Sequence, residues 1–302
     1  MSGTVLIGGG TGFIGSHLTK TLTGLNYVVK VVSRMPGPHN ISWHDLSSKG
    51  LPQDTVAVIN LAGQNVMDFK QRWTAGFKQN IFNSRINTTA ALAKAIDKAI
   101  VKPKAFVSMS GVGIYKPNPK AEYNECSKVE AFDFFSKLVL EWEKATTLES
   151  TELKKQCRVV SIRSGVVLGR NGGMIKQLYL PFFLGLGGPV GNGSQYLSWI
   201  HIKDLVDLLI FSIQNNKVEG VINGVAPETC TNKQFSDAFA KALKRPAFLP
   251  VPSIVFSLIL GSERAKMITT GQKVLPTRTQ ELGFKFSFPD IQSACQNIVK
   301  AL

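Results

Sequence analysis

The amino-acid sequence predicts an α/β protein built on a doubly wound parallel sheet. Three observations carry this. Apolar runs of strand length alternate with helical patterns through the first half of the chain. The strands are continuously apolar, as strands buried on both faces must be. A glycine-rich turn, GGGTGFIGSH at residues 8–17, joins the first strand to the first helix. A chain of 302 residues accommodates such a sheet together with a smaller second unit.

The elements follow in order. Strands are expected at Thr4–Gly8, Tyr27–Ser33, Val56–Leu61, Ala105–Ser110 and Arg158–Val167. The first helix is marked by Ile14, Leu18 and Leu22 at four-residue spacing. A second runs from Ser84 to Ile100 with Ile86, Ala90, Ala93 and Ile96 on one face, and a third carries Val129, Phe132, Leu138, Val139 and Trp142. After Gly169 the pattern changes. Residues 170–195 are glycine-rich and loop-like. A helix then presents Ile202, Leu205, Val206, Leu209, Ile210 and Ile213, and two more lie near 232–243 and 289–302, with prolines at 246, 250 and 252 between them. These shifts divide the chain into a nucleotide-binding unit, residues 1–168, and a smaller substrate-side unit, 169–302. Residues 199–225 are expected to return to the main sheet.

Composition narrows the classes. Hydrophobic residues at 44% and charged residues at 18% exclude a disordered chain. The formal charge of +15 favours anionic ligands. The basic residues are scattered, however. Their densest cluster, Lys154-Lys155 with Arg158, is no nucleic-acid arm, so no nucleic-acid partner is expected. No run of about 18 apolar residues exists, and 178–189 is broken by Gly and Pro, so no membrane insertion is expected. Cys126, Cys157, Cys230 and Cys295, with His17, His39, His44 and His201, show no metal-ligand spacing and no disulfide framework. A first strand near Thr4 leaves no room for a targeting peptide, so a cytoplasmic location is expected, with the mitochondrial matrix as the alternative.

Glycines at the end of a first strand let the backbone approach a pyrophosphate, and the helix N-terminus that follows offers N–H groups and a positive dipole end. The spacing Gly9-x-x-Gly12-x-x-Gly15, with Thr11, Phe13 and Ile14 between, sits in that context. An NAD site carries a carboxylate about 20 residues further on, at the end of the second strand. Here that position reads Ser33-Arg34. A hydroxyl followed by a guanidinium suits a 2′-phosphate, so the expected cofactor is NADP(H).

Further motifs narrow the match. They are NLAG at 60–63, SMSGVGIY at 108–115, DFFSKLVLEWE at 133–143, RSGVVLG at 163–169, LGLGGPVGNGSQYLSWIHIKDL at 184–205 and GFKFSFP at 283–289. With the glycine turn they make the chain resemble the extended or atypical short-chain dehydrogenases/reductases, and within them the epimerase-family proteins of an NADP-binding, cell-division-inhibitor-like branch. The resemblance covers nearly the whole chain. It implies a Rossmann fold in which Gly9–Gly15 hold the pyrophosphate and Ser33 and Arg34 the 2′-phosphate. Leu61, Ala62 and Gly63 would pass beneath the cofactor, with Asn80 and Arg85 reaching it from the side.

The resemblance also implies a catalytic Ser, and a Tyr-x-x-x-Lys pair whose phenol transfers the proton during hydride transfer. Ser110 matches the serine. The best match to the pair is Asp133-x-x-x-Lys137, which keeps the Lys and lacks the Tyr. Tyr115 is the nearest phenol. On the substrate side, Trp199, His201 and Gln195 flank the glycine-rich loop, with His201 either a titrating group or a packing residue. Three functions stay open: an NADP(H)-dependent oxidoreductase acting on a small carbonyl or alcohol, a nucleotide-sugar epimerase, and an NADPH-binding accessory or sensor protein within a larger complex.

Overall fold

The computed structural model describes residues 3–34, 37, 40–149 and 156–300. The first part of the chain forms β1 (Thr4–Gly8), α1 (Phe13–Gly24), β2 (Val28–Ser33), β3 (Asn40–Ser42), α2 (Trp43–Lys49), β4 (Thr55–Asn60), α3 (Ala75–Lys98), β5 (Ala105–Gly111), β6 (Asn118–Tyr123) and α4 (Phe134–Lys144). There follow β7 (Arg158–Ser164), β8 (Val166–Leu168), α5 (Gly173–Phe183), β9 (Tyr196–Leu197), β10 (Trp199–His201), α6 (Ile202–Gln214) and β11 (Gly220–Gly224). The last part holds β12 (Cys230–Thr231), α7 (Asn232–Leu243), α8 (Ser253–Leu260), α9 (Ser262–Thr269), β13 (Gln272–Val274), α10 (Thr277–Glu281) and α11 (Ile291–Lys300).

Seven strands make one sheet in the order β11-β7-β5-β4-β1-β2-β3, every neighbouring pair parallel. The reversal between β1 and β4 is the switch point at which a doubly wound sheet opens a crevice at its carboxyl edge. Both faces are covered. Val5 and Ile7 of β1 pack with Leu18 and Leu22 of α1 and Leu205 and Leu209 of α6. Leu6 of the same strand packs on the other side with Leu46 of α2 and Leu92 and Ile96 of α3. Burying side chains of this size stabilises the fold by about 1.5–3 kcal/mol each, which explains the unbroken apolar runs. A separate core forms in the last third, where Phe182, Phe235, Phe239, Cys295 and Ile298 join α5, α7 and α11.

The structure corrects several boundaries. The predicted strand Arg158–Val167 is two strands. β7 stays in the main sheet, whereas β8 leaves it and pairs with β10. Gly165 makes the break, because a Cβ there would stand 2.5 Å from the Ser198 carbonyl. The second helix starts at Ala75 rather than Ser84, capped by Thr74, whose hydroxyl accepts from the Phe77 amide. The third starts at Phe134 rather than Val129, because Asp133 and Ser136 form a reciprocal capping box. Lys154, Lys155 and His39 lie outside the described residues.

Candidate functional site

The crevice begins at the turn between β1 and α1. Gly9 has φ +77°, and a Cβ on it would lie 2.8 Å from the Ala62 amide nitrogen. A Cβ on Gly15 would lie 2.4 Å from the Gly9 carbonyl oxygen. At Gly12 the only neighbour within 4 Å among the described residues would be that same oxygen, at 3.4 Å. The glycines therefore have separate duties. Gly9 brings the turn against the end of β4, Gly15 brings α1 against the turn, and Gly12 keeps the approach open. Gly12 is the N-cap of α1, no side chain caps that end, and its first turn carries no acidic residue. An uncapped, uncharged helix start of this kind suits a pyrophosphate. Thr11 is exposed beside it and Ile14 packs on the core. The Phe13 ring is covered by the loop after β8, where a Cβ on Gly172 would lie 2.3 Å from it.

At the end of β2, Ser33 is buried and Arg34 exposed. Neither is a carboxylate, so no negative charge there opposes a 2′-phosphate. On the other wall of the crevice, Leu61, Ala62 and Gly63 follow β4. The Ala62 amide donates to Asn60 Oδ1 at 3.0 Å. Asn60 Nδ2 donates to the Thr89 hydroxyl at 2.7 Å, and Trp142 Nε1 donates to the same hydroxyl at 3.0 Å. Thr89 completes the knot by donating to the Arg85 carbonyl at 2.7 Å. Strand β4, helix α3 and helix α4 are thereby locked under the loop. Arg85 lies against Gly63, where a Cβ would stand 3.0 Å from its guanidinium carbon, and over the Trp142 ring at 5.2 Å. Burial pulls its pKa down to about 10, and the hydrogen bond from its Nη1 goes to the Ile81 carbonyl. A half-buried cation beside the crevice fits an anionic ligand. Asn80, on the same helix, is exposed.

The catalytic candidates fall into a different arrangement from the expected one. Ser110, at the end of β5, donates to Glu143 Oε1 at 2.7 Å. Glu143 receives both Nε and Nη2 of Arg163 at 2.8 Å. Arg163 Nη1 donates to the Tyr115 hydroxyl at 3.0 Å, and that hydroxyl lies 3.0 Å from Asn223 Oδ1 and 3.1 Å from the Asn124 carbonyl. Ser110, Tyr115 and Arg163 are all buried. Burial raises the Tyr115 pKa, with Arg163 opposing only in part. Burial would also lower that of Arg163, but the Glu143 carboxylate overrides it and the net shift is upward. Tyr115 is thus held by Arg163, while Lys137 is exposed on α4. Asp133 spends its carboxylate on the Ser136 amide at 2.8 Å as the α4 cap, so it does not stand in for a phenol.

The substrate-side candidates are packed into the fold, and Trp199 Nε1 and His201 Nε2 are buried with no hydrogen-bond partner among the described residues. Trp199 is 1% exposed within the C-terminal core. Gln195 Nε2 donates to the carbonyls of Val190 and Ile268, tying the glycine-rich loop to α9. His201 caps α6, its Nδ1 accepting from the Lys203 amide at 3.2 Å, and its ring packs on Phe288. Burial, then the Lys203 charge, lowers its pKa to about 4, against a raising contribution from Asn297. The unfolded chain therefore takes up a proton that the fold refuses between about pH 6.5 and pH 4, and stability falls as pH falls through that window. This contribution is about 3 kcal/mol. Chemical denaturation of wild type and His201→Asn at both ends of the window checks it. The variant keeps a cap acceptor, and its stability should decline less on acidification; equal declines would refute the assignment.

Asn60, Thr89, Glu143 and Arg163 were not singled out from the sequence. The available signal was a polar residue in an apolar strand: Asn60 closes TVAVIN, and Arg163 interrupts VVSIRS.

A seven-stranded parallel sheet with a glycine turn at its switch point, an open helix N-terminus and a flanking arginine defines a dinucleotide-binding doubly wound protein. The chain belongs to the NAD-dependent epimerase/dehydratase family, whose model matches residues 5–223. A domain of unknown function matches residues 251–298. The chain is 49% identical to the epimerase family protein SDR39U1 of Mus musculus over 98% of its length and 99% of the relative's. It is 35% identical to the chloroplastic SDR39U1 homolog of Arabidopsis thaliana, over 98% and 87%. The crystal structure of human SDR39U1 (isoform 2) with NADPH superposes with a TM-score of 0.96 at 47% identity, covering 99% of this chain and all of that one.

Proposed function

We propose that the protein is an NADP(H)-dependent oxidoreductase acting on a small carbonyl or alcohol. The observation that carries this is the crevice itself: a glycine turn open only at Gly12, with Ser33-Arg34 where an NAD site places a carboxylate. The human relative crystallised with NADPH supports the same cofactor. Gly9, Gly12, Gly15 and the α1 N-terminus hold the pyrophosphate. Ser33 and Arg34 hold the 2′-phosphate, and Leu61–Gly63 line the opposite wall beside Arg85. When bound, the cofactor supplies or accepts a hydride. Ser110, whose hydroxyl donates to Glu143 in the unliganded crevice, is the hydroxyl that turns from that carboxylate to the substrate oxygen.

A second reading, an NADPH-binding accessory protein, is favoured by one observation. Tyr115 is buried and paired with Arg163, and Asp133 is a helix cap, so no Tyr–Lys pair stands ready for proton transfer, which commonly contributes about 10²- to 10⁴-fold. Two measurements decide. Calorimetric titration should give tighter binding of NADPH than of NADH, and Arg34→Ala should remove most of the difference. Loss of a guanidinium–phosphate contact of about 1.5–3 kcal/mol corresponds to roughly ten- to a hundredfold. Equal affinities in the wild type would end the 2′-phosphate reading. A panel of carbonyl compounds is then offered with NADPH. Oxidation that Ser110→Ala suppresses supports the enzyme, and tight binding with no turnover across the panel supports the accessory reading.

A further inference from the structure

No helix among the described residues is long and apolar enough to cross a membrane. One face of the C-terminal unit is nonetheless built of exposed large apolar side chains. Leu180, Phe183, Leu184 and Leu186 project from the end of α5 and the turn after it. Phe248, 72% exposed, and Leu249 lie on the proline-rich segment before α8. Ile254 and Leu258, the latter 80% exposed, share a stripe of α8 at four-residue spacing, with Ile259 beside them. The segments that carry the three groups lie side by side. The chain after α5 runs alongside the proline-rich segment, joined by hydrogen bonds between Val251 N and the Pro189 carbonyl and between Gly191 N and the Val251 carbonyl. A Cβ on Gly185 would stand 3.5 Å from Pro246. Of the residues of α8, only Leu260 is buried.

The segments that carry these side chains are charged with one sign. Residues 173–195 and 238–262 contain no Asp or Glu, while Lys176, Lys241, Lys244 and Arg245 lie within them, all exposed. Arg245 stacks on Phe183 at 5.0 Å and donates from Nε to its carbonyl, which sets a cation directly on the apolar surface. The flanking acids are already neutralised. Asp237 pairs with Lys233 at 2.7 Å, and Glu263 pairs with Lys78 and accepts from Trp73 Nε1. A second copy of the same face would oppose cation to cation. An anionic lipid surface meets both the apolar side chains and the charge.

We propose that this face docks the protein on an anionic membrane surface, with the end of α5, residues 246–250 and α8 lying in the interface and the four cations at headgroup level. The protein lies on the bilayer and does not span it. α9 follows α8 directly and holds the loop beyond β4: Arg264 is buried between the rings of Trp73 and Phe77 and donates to the carbonyls of Gln71 and Asp68. The docking face thus adjoins α9, the helix that holds the loop beyond β4.

Flotation of the full chain with vesicles tests this. The protein should rise with mixed phosphatidylcholine and phosphatidylglycerol vesicles and not with phosphatidylcholine alone, and added salt should release it. Lys176→Glu/Lys241→Glu/Lys244→Glu should weaken partitioning by about a hundredfold or more, and Leu258→Asp should weaken it as well. All the replaced side chains are exposed, and an unchanged Tm confirms that the variants fold. Four results would overturn the proposal: no flotation of wild type on anionic vesicles, equal flotation on neutral ones, salt-independent binding, or a solution dimer abolished by Leu258→Asp, which would make the face a contact between copies. The salt series needs no variant, so it stands even where one fails to fold.

Discussion

Arg163→Met should destabilise the protein by about 3–5 kcal/mol, because removing one partner of a buried ion pair leaves the other charge in the interior without compensation. Arg163 is 4% exposed and makes both nitrogen contacts to Glu143 at 2.8 Å. Its third polar contact holds Tyr115, which in turn meets Asn223 on β11. The network therefore joins β5, α4, β7 and β11 at the carboxyl edge of the sheet. Glu143→Gln alone should also be costly, and Arg163→Met/Glu143→Gln should cost clearly less than the sum of the two. Urea unfolding of the four proteins measures this. A loss below about 1 kcal/mol for Arg163→Met would show that the pair is solvated and contributes as a surface bridge does. Ser110 offers a second readout. Its hydroxyl donates to Glu143, so any activity that depends on Ser110 should fall in Glu143→Gln even where the fold survives.

The second large effect is expected at the glycine turn, and the three glycines should not behave alike. In Gly15→Ala the new methyl would sit 2.4 Å from the Gly9 carbonyl and 2.6 Å from the Gly10 Cα. Both are backbone atoms of the same tight turn, so α1 must move away. That overpacking costs about 1–3 kcal/mol of stability. The helix N-terminus would no longer face the pyrophosphate position, and NADPH affinity should drop by about two orders of magnitude. Gly12→Ala has only the Gly9 oxygen near it, at 3.4 Å. Its Tm should stay close to wild type while its affinity falls, because the methyl occupies space reserved for the ligand. Thermal melts and calorimetric titration with NADPH on both variants separate these outcomes. If Gly12→Ala binds NADPH as the wild type does, the pyrophosphate does not lie over Gly12.

The parts of the fold legible in the sequence are those set by short-range spacing. The sheet strands β1, β2, β4, β5 and β7 were visible because burial on both faces demands unbroken apolar runs, and α1, α6 and α7 because one apolar face repeats at helical spacing; the short β3 and the edge strand β11 were not marked as strands. Boundaries slipped where a single contact outside the apolar pattern decides. Gly165 reads as one more residue of an apolar strand, yet the approach of Ser198 turns it into a break. Asp133 reads as a substitute in a Tyr-x-x-x-Lys pattern, yet its partner is the amide three residues on. Of the candidate site, the glycine turn was legible because the residue types themselves state the geometry: absent side chains where backbone must approach.

The chain by itself determined the parallel sheet and the place of the glycine turn at its switch point, since each follows from residue types a few positions apart. The tertiary structure alone decided what the polar residues do. Ser110, Glu143, Arg163 and Tyr115 come from β5, α4, β7 and the turn after β5, and Asn60, Thr89 and Trp142 from β4, α3 and α4. A buried charge or hydroxyl must find a partner, and which partner it finds is set by how strands and helices pack, not by the residues next to it in the chain.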